Sequence, residues 1–265
     1  MNLRKLAWLA VLLMLGGCRA LPPAPPPAPL LAADELWARL KARQQQIQAF
    51  QARGRVIFLS PERNYSGTVL LKGKEPGTLR LDILDFLGRA VLSVASDGDE
   101  LKVLSPREGK FYFGKATPGN LAYALLPPGV TVSEAFHLLL GSLPLSVGPP
   151  DRQDYEAAQG QYVLSWHQAD GTLKERVWVK AEGLNPIKGQ WCGNAEQVLF
   201  TVELADFGRL PADLPGQLTL RTTNPKSELR LYYREMQANP NLNAADLALT
   251  PPATVQKVPL GTGKL

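Results

Sequence analysis

The stretch Thr78–Ser96, TLRLDILDFLGRAVLSVAS, decides how this chain is read. Its first arm puts Leu79, Leu81 and Ile83 on one face and Arg80 and Asp82 on the other, the two-residue period of a strand with one wet side. The return arm carries Val91, Leu92 and Val94 and runs to the turn signal Asp97-Gly98. Between the arms the tip reads Asp85-Phe86-Leu87-Gly88. Hairpin tips are solvated and favour Asn, Asp, Gly and Pro. Gly88 suits a left-handed position, but Phe86 and Leu87 are large apolar groups where water is expected. Either another element covers this tip or it touches an apolar partner.

Strand patterns continue on both sides of the hairpin. GRVIFLS (54–60) and YSGTVLLKG (65–73) precede it, and ELKVLSP (100–106) and KFYFGKA (110–116) follow. Six closely spaced strands predict an antiparallel meander. A second set covers 160–168, 173–181, 186–193, 197–207, 216–222 and 227–237. Between the sets, Pro118 to Pro150 holds two apolar helical runs. One spans about Asn120 to Leu126; the other is capped by Ser133, with Glu134 behind it, and stops at Gly141. Helices apolar around their circumference need burial on more than one side, or they cover a cavity.

Ahead of the strands, Asp34 is the expected N-cap of a helix to about Ile47, with Leu36, Leu40, Ile47 and Phe50 on one face that docks on the sheet. After Asn239 the pattern fades, and Leu247 and Leu249 are expected to lie along the domain before the chain frays. The expected organisation is a domain over 34–240 with an extended tail over 241–265.

Residues 1–17 have the layout of an export signal: Arg4 and Lys5, then an apolar core from Leu6 to Leu15 that is too short to span a bilayer. Leu15-Gly16-Gly17-Cys18 resembles the lipobox of bacterial lipoproteins. That resemblance implies acyl chains on Cys18 and, with two or more chains, stable membrane anchoring. Arg19, rather than Asp, follows, which under the enterobacterial sorting rule points to the outer membrane. Residues 20–33, ALPPAPPPAPLLAA, form a proline-rich tether that reaches about 40 Å as polyproline II.

Composition narrows the function classes. The 265 residues are 45% hydrophobic, enough for a real core. The formal charge is +5, of which Arg4 and Lys5 supply two; the remainder is too small and scattered to argue for nucleic acid. Two cysteines and two histidines leave no internal disulfide once Cys18 is lipidated, and they point to no metal and no cofactor. Ser165 and His167 share a strand face with Asp170 in the adjacent turn, but without a nucleophile elbow this reads as non-catalytic. Cys192 beside Trp191 reads as a half-buried strand residue, and Glu175 as a solvated strand charge.

The order of these features carries a resemblance. A lipobox Cys, a tether and an amphipathic helix lead into Arg53-Gly54-Arg55-Val56, then Asp85-Phe86-Leu87-Gly88-Arg89, and later Leu140-Gly141-Ser142-Leu143-Pro144. This is similar to the LolB-like family of outer-membrane lipoprotein receptors. The resemblance implies a mainly β fold: a half-open antiparallel barrel of about eleven strands with helices plugging its mouth, shared with the periplasmic carrier LolA. It implies that acylated lipoproteins or lipid are bound in an apolar cavity, received from a LolA-like carrier and passed into the outer-membrane bilayer, facing the periplasm. Leu87 matches the family's exposed loop leucine; Phe86 beside it departs from the family pattern. Leu81, Ile83 and Val91, together with Phe113, Val163, Val177 and Leu229, are candidate cavity walls. Leu121, Tyr123, Leu125, Phe136 and Leu139 are candidate lid residues; each also suits a filled core. A lipid or glycolipid carrier, or an envelope-sensing module of the same fold, is the alternative reading; a third is a purely structural assembly factor, which predicts a filled core and no cavity.

Overall fold

The computed structural model describes residues 30–127 and 129–261. The signal segment, Cys18 and most of the tether lie outside the described residues. Strand β1 (Ala49–Leu59) is central: it alternates buried Ala52, Val56 and Phe58 with exposed Gln51, Arg53 and Arg55. The meander continues through β2 (Asn64–Lys74), β3 (Thr78–Leu84), β4 (Ala90–Ser96), β5 (Glu100–Ser105) and β6 (Lys110–Lys115). After the interruption come β7 (Arg152–Glu156), β8 (Gln161–His167), β9 (Leu173–Lys180), β10 (Pro186–Cys192), β11 (Val198–Ala205), β12 (Gln217–Thr222) and β13 (Ser227–Ala238).

β13 returns to pair with β1, Phe58 opposite Leu229, which joins both halves into one sheet. With a last strand β14 (Gln256–Pro259), its order is β14-β6-β5-β4-β3-β2-β1-β13-β12-β11-β10-β9-β8-β7, and the edges β14 and β7 do not meet. The barrel is therefore open. All twelve expected strands are present, but the sheet has fourteen rather than about eleven. The additions are β7, whose five residues have no large apolar alternation, and β14 (Gln256–Pro259).

Helix α1 (Ala33–Gln45) buries Leu36 and Leu40, and Ile47 and Phe50 just beyond it are buried as expected. Its N-cap is Ala32, not Asp34; Asp34 sits in the first turn, where a negative charge still meets the positive end of the helix dipole. Helix α2 (Val132–Leu140) begins two residues earlier than expected. Thr131, not Ser133, is its N-cap, in a reciprocal capping box with Glu134, and Gly141 ends it at φ 83°. The preceding run is a 3-10 turn, Asn120–Ala124, closed by left-handed Leu125.

The tail does not fray after Leu249. Helix α3 (Ala244–Leu247) and β14 strap residues 242–260 over the outer face of β2–β6, and β14 pairs parallel to β6. Leu249 joins Ala95, Leu104 and Phe111 in a second small core, and Leu242 and Leu247 meet Ala49 in a third. Lys72 holds Asp246 at 3.0 Å and Arg80 donates to the Ala248 carbonyl at 2.8 Å. No described helix is long and apolar enough to cross a membrane.

Candidate functional site

The β3–β4 tip is a built turn. The Gly88 N–H donates to the Asp85 carbonyl at 3.0 Å, and Gly88 takes φ 77°, a type I turn followed by a left-handed glycine. Asp85 Oδ1 accepts the backbone N–H groups of Leu87 and Arg89, both at 2.9 Å, and Oδ2 accepts Arg89 Nε at 2.8 Å. These bonds, the Arg89 N–H first among them, hold the Asp85 carboxyl below the usual carboxylate range. Phe86 and Leu87 occupy the two central positions of the turn, so their side chains point away from the bonded frame. Phe86 is 93% exposed and Leu87 62%. Nothing in the described chain covers the tip. On the β5 side pairing starts only at Ser93 opposite Leu104, so the hairpin end projects beyond that neighbour. An Asp three residues before a Gly is a legible turn signal, and through these bonds Asp85 belongs to the site together with the apolar pair it presents.

The concave face of the sheet forms the interior. Leu81 and Ile83 from β3 meet Leu121, Leu125, Phe136 and Leu139 from the interrupting segment in one apolar cluster, with Val91 and Tyr123 half-buried against it. Val177 and Leu229 join the same cluster, but Phe113 and Val163 do not. Phe113 is 39% exposed beside Phe111 on the outer face, and Val163 alternates with inward Tyr162 and Leu164. The interior is packed rather than hollow. Phe50 and Phe136 meet edge to face at 5.2 Å, seated over Gly73, where an added Cβ would lie 2.4 Å from the Phe50 ring. Beside α2, a pocket of about 40 Å³ lies against Leu40, Ile47, Leu140 and Leu214, which is room for a water or two and not for an acyl chain.

The plug is held by apolar burial and by helix α1, whose Gln44 Nε2 donates to Ser142 Oγ at 3.0 Å and to the Leu143 carbonyl and whose Lys41 Nζ donates to the Leu145 carbonyl at 3.0 Å. Among the described residues, the hydrogen bond between α2 and the strands runs from Tyr233 Oη to the Leu139 carbonyl, 3.0 Å. His137 Nε2 lies 3.7 Å from Glu75 in the β2–β3 turn. Burial, reinforced by the charge of Lys41, pushes the His137 imidazole down to about 4. Tyr123 packs against Tyr112 with the rings tilted and their centroids 5.5 Å apart, and it lies under the Arg63 guanidinium.

Other sequence candidates fall into structural roles. Glu175 is not solvated: it is 2% exposed, accepts Ser146 Oγ at 2.6 Å, and burial raises its carboxyl to about 7. Ser165, His167 and Asp170 are not a relay. His167 Nδ1 meets Asp151 at 2.6 Å, Ser165 Oγ accepts Arg176 Nε at 3.3 Å, and Asp170 closes its own turn on Thr172. Cys192 is a buried free thiol, and Trp191 stacks on Phe200 at 4.7 Å.

An open antiparallel half-barrel plugged by an apolar helix defines the class: this is the LolA/LolB fold. A LolA superfamily protein from Nitrosomonas europaea superposes with TM-score 0.55 at 14% identity, covering 83% of this chain and 99% of that one. An outer membrane lipoprotein-sorting protein domain from Vibrio parahaemolyticus gives 0.53 at 14%, covering 81% and 95%. In sequence the chain is LolB-like: it is 31% identical to the outer-membrane lipoprotein LolB of Vibrio cholerae over 100 residues, 38% of this chain. That match spans 45% of the LolB chain, less than half its length. No protein-family model matches.

Proposed function

We propose that this protein is an outer-membrane lipoprotein, anchored through Cys18 and facing the periplasm, that takes acylated lipoproteins from a LolA-like carrier and inserts them into the bilayer. The observation that carries the reading is the projecting Phe86–Leu87 pair on a turn rigidified by Asp85. Two large side chains held in water have no folding benefit, whereas entering a bilayer is worth roughly 1.5–3 kcal/mol for each. The LolB-like sequence and the shared fold support the same assignment. No bond is made or broken in this task, so the protein acts as a binding and transfer factor rather than an enzyme.

An acyl chain of about sixteen carbons carries roughly 12 kcal/mol of burial at 0.8 kcal/mol per CH₂, so transit needs a continuous apolar shelter. The interior is closed around α2, and its occupation requires the 118–145 segment to lift from the concave face. The capping box and glycine stop let α2 move as a unit. Lifting the segment breaks the Tyr233–Leu139 bond and the Gln44 and Lys41 bonds to residues 142–145, and exposes the buried face of α2, a cost that the client's acyl chain must offset by filling the space.

The test is transfer of an acylated lipoprotein from a LolA-like carrier, through the purified lipidated chain, to phosphatidylethanolamine–phosphatidylglycerol vesicles. Leu87→Glu is expected to keep binding the client while transfer falls at least tenfold. Unchanged transfer would overturn the role of the tip. Mass spectrometry of the co-purified ligand separates an acylated polypeptide from a free lipid or glycolipid.

A further inference from the structure

Seven large hydrophobic residues are exposed among the described residues: Leu30, Leu59, Phe86, Leu87, Phe113, Val147 and Leu199. Strand register shows that they are not scattered. Leu59 pairs with Asn64 where β1 turns into β2, and Thr68 pairs with Leu84 just below the Phe86–Leu87 tip. Both turns therefore lie at one end of the sheet. The same end continues through the other half: Leu59 faces Glu228, Thr222 faces both Ser227 and Phe200, and Leu199 precedes Phe200. Beyond it, Cys192 pairs with Val198, Trp191 with Glu175, and Glu175 with Trp166. Trp166 Nε1 then donates to the Gly148 carbonyl at 3.1 Å, which holds fully exposed Val147 at that end. Five of the seven residues thus sit on the tip-bearing rim. Of the other two, Leu30 adjoins the N-terminal segment and Phe113 stacks on Phe111 in mid-strand.

We propose that this whole rim, and not the hairpin tip alone, is the bilayer-contacting surface, with Leu59, Leu199 and Val147 as contacts additional to Phe86 and Leu87. The proposal rests on the membrane-transfer reading above and extends it to the second half of the sheet. From the tip to Leu199 the rim crosses five strand intervals, about 24 Å at 4.8 Å each. Separate apolar points across that distance do not make a groove for one peptide; a continuous apolar phase meets them all. Leu59 and Leu199 alternate with buried Phe58 and Phe200, so both point to the outer side of the sheet. Leu199 lies over Gly193 in its adjoining turn, which keeps it folded against the rim. The chain length outside the structure agrees. Leu31 is held midway along β7–β8 by Tyr162 Oη and Gln153. The thirteen residue steps from Cys18 to Leu31 reach at most about 45 Å, enough for an anchored chain to bring this rim to its own bilayer.

The test uses the full lipidated chain, with buried Cys192 replaced by Ala, in phosphatidylethanolamine–phosphatidylglycerol vesicles containing a brominated lipid. Single labelling sites are made by Leu87→Cys, Leu59→Cys, Val147→Cys and Leu199→Cys, with Ala158→Cys in the β7–β8 turn at the opposite end. An environment-sensitive fluorophore is expected to be quenched at least twofold by the bromines at the first four sites and not at position 158. Quenching at 87 without the other three overturns the extended rim and leaves the tip reading standing. No quenching at 87 overturns both. Equal quenching at 158 overturns the orientation.

Discussion

Asp85 Oδ1 accepts the backbone N–H of Leu87 at 2.9 Å, so the residue that presents Leu87 is a carboxylate two positions before it. Asp85→Ala removes three side-chain hydrogen bonds from an exposed turn. The fold is expected to survive with little change in thermal midpoint, while lipoprotein transfer drops several-fold because the apolar pair is no longer held outward. Asp85→Asn, which keeps an acceptor oxygen, is expected to retain most transfer. The folded Asp85 carboxyl titrates below its unfolded value, so the preformed turn is present above the ordinary carboxylate range and lost as pH falls through the depressed pKa. Transfer rates for both variants, beside circular dichroism melts, check this.

Phe86 is more exposed than Leu87, 93% against 62%. A bilayer contact gains from each side chain in proportion to the apolar area it inserts. Phe86→Ser is therefore expected to slow transfer at least as much as Leu87→Ser, with both variants melting like the parent. A Phe86→Ser protein with full activity would assign the contact to Leu87 alone.

Gly73 seats the plug. A Cβ there would lie 2.4 Å from the Phe50 ring and 2.9 Å from Phe136. Gly73→Ala is expected to cost about 1–3 kcal/mol through overpacking, read as a lower urea midpoint. It is also expected to raise uptake of a fluorescent fatty acid if lifting α2 opens the interior.

Two buried titratable groups work against each other. Glu175 has a folded pKa of about 7, raised by burial, so its contribution is fully present below the unfolded value near 4.5 and is lost as pH rises through 7. His137, lowered by burial to about 4, contributes above its unfolded value near 6.5 and loses that as pH falls toward 4. Each is worth on the order of 3 kcal/mol at 1.36 kcal/mol per unit. Between about pH 4.5 and 6.5 the slopes oppose, and wild-type stability is expected to be nearly flat. Glu175→Gln is expected to tilt the profile so that stability rises with pH; His137→Gln is expected to tilt it the other way. Urea unfolding at several pH values measures both.

The tail is expected to be structural. Leu249 covers Ala95, Leu104 and Phe111 on the outer face of the sheet. Leu249→Ala is expected to lower stability by about 2 kcal/mol, the low end for a buried leucine. Deletion of 241–265 is expected to increase binding of a dye specific for exposed apolar surface. A truncated chain that melts like the parent would show that the strap adds nothing to the fold.

Twelve of the fourteen strands, the apolar helices and the unusual tip are written in local sequence pattern. Alternation in LRLDI, the Gly141 helix stop and Gly88 in the turn are legible because local backbone preferences act within a few residues. The cap is expected on Ser133 instead of Thr131 because both are good capping residues, and only the reciprocal bonds with Glu134 choose between them. The amphipathic stripe of Leu36, Leu40, Ile47 and Phe50 was equally legible, because a buried stripe must recur at the helical period. Non-local contacts were not. β7 and β14 carry too little apolar alternation to announce themselves and exist because a neighbouring edge offers hydrogen bonds. Glu175 looked solvated because its strand alternates normally, and only the loop with Ser146 closing over it made it buried. Leu59, Val147 and Leu199 lie far apart in the chain, and only the register of an antiparallel sheet, which brings alternate turns to one end, sets them on one rim with Phe86 and Leu87.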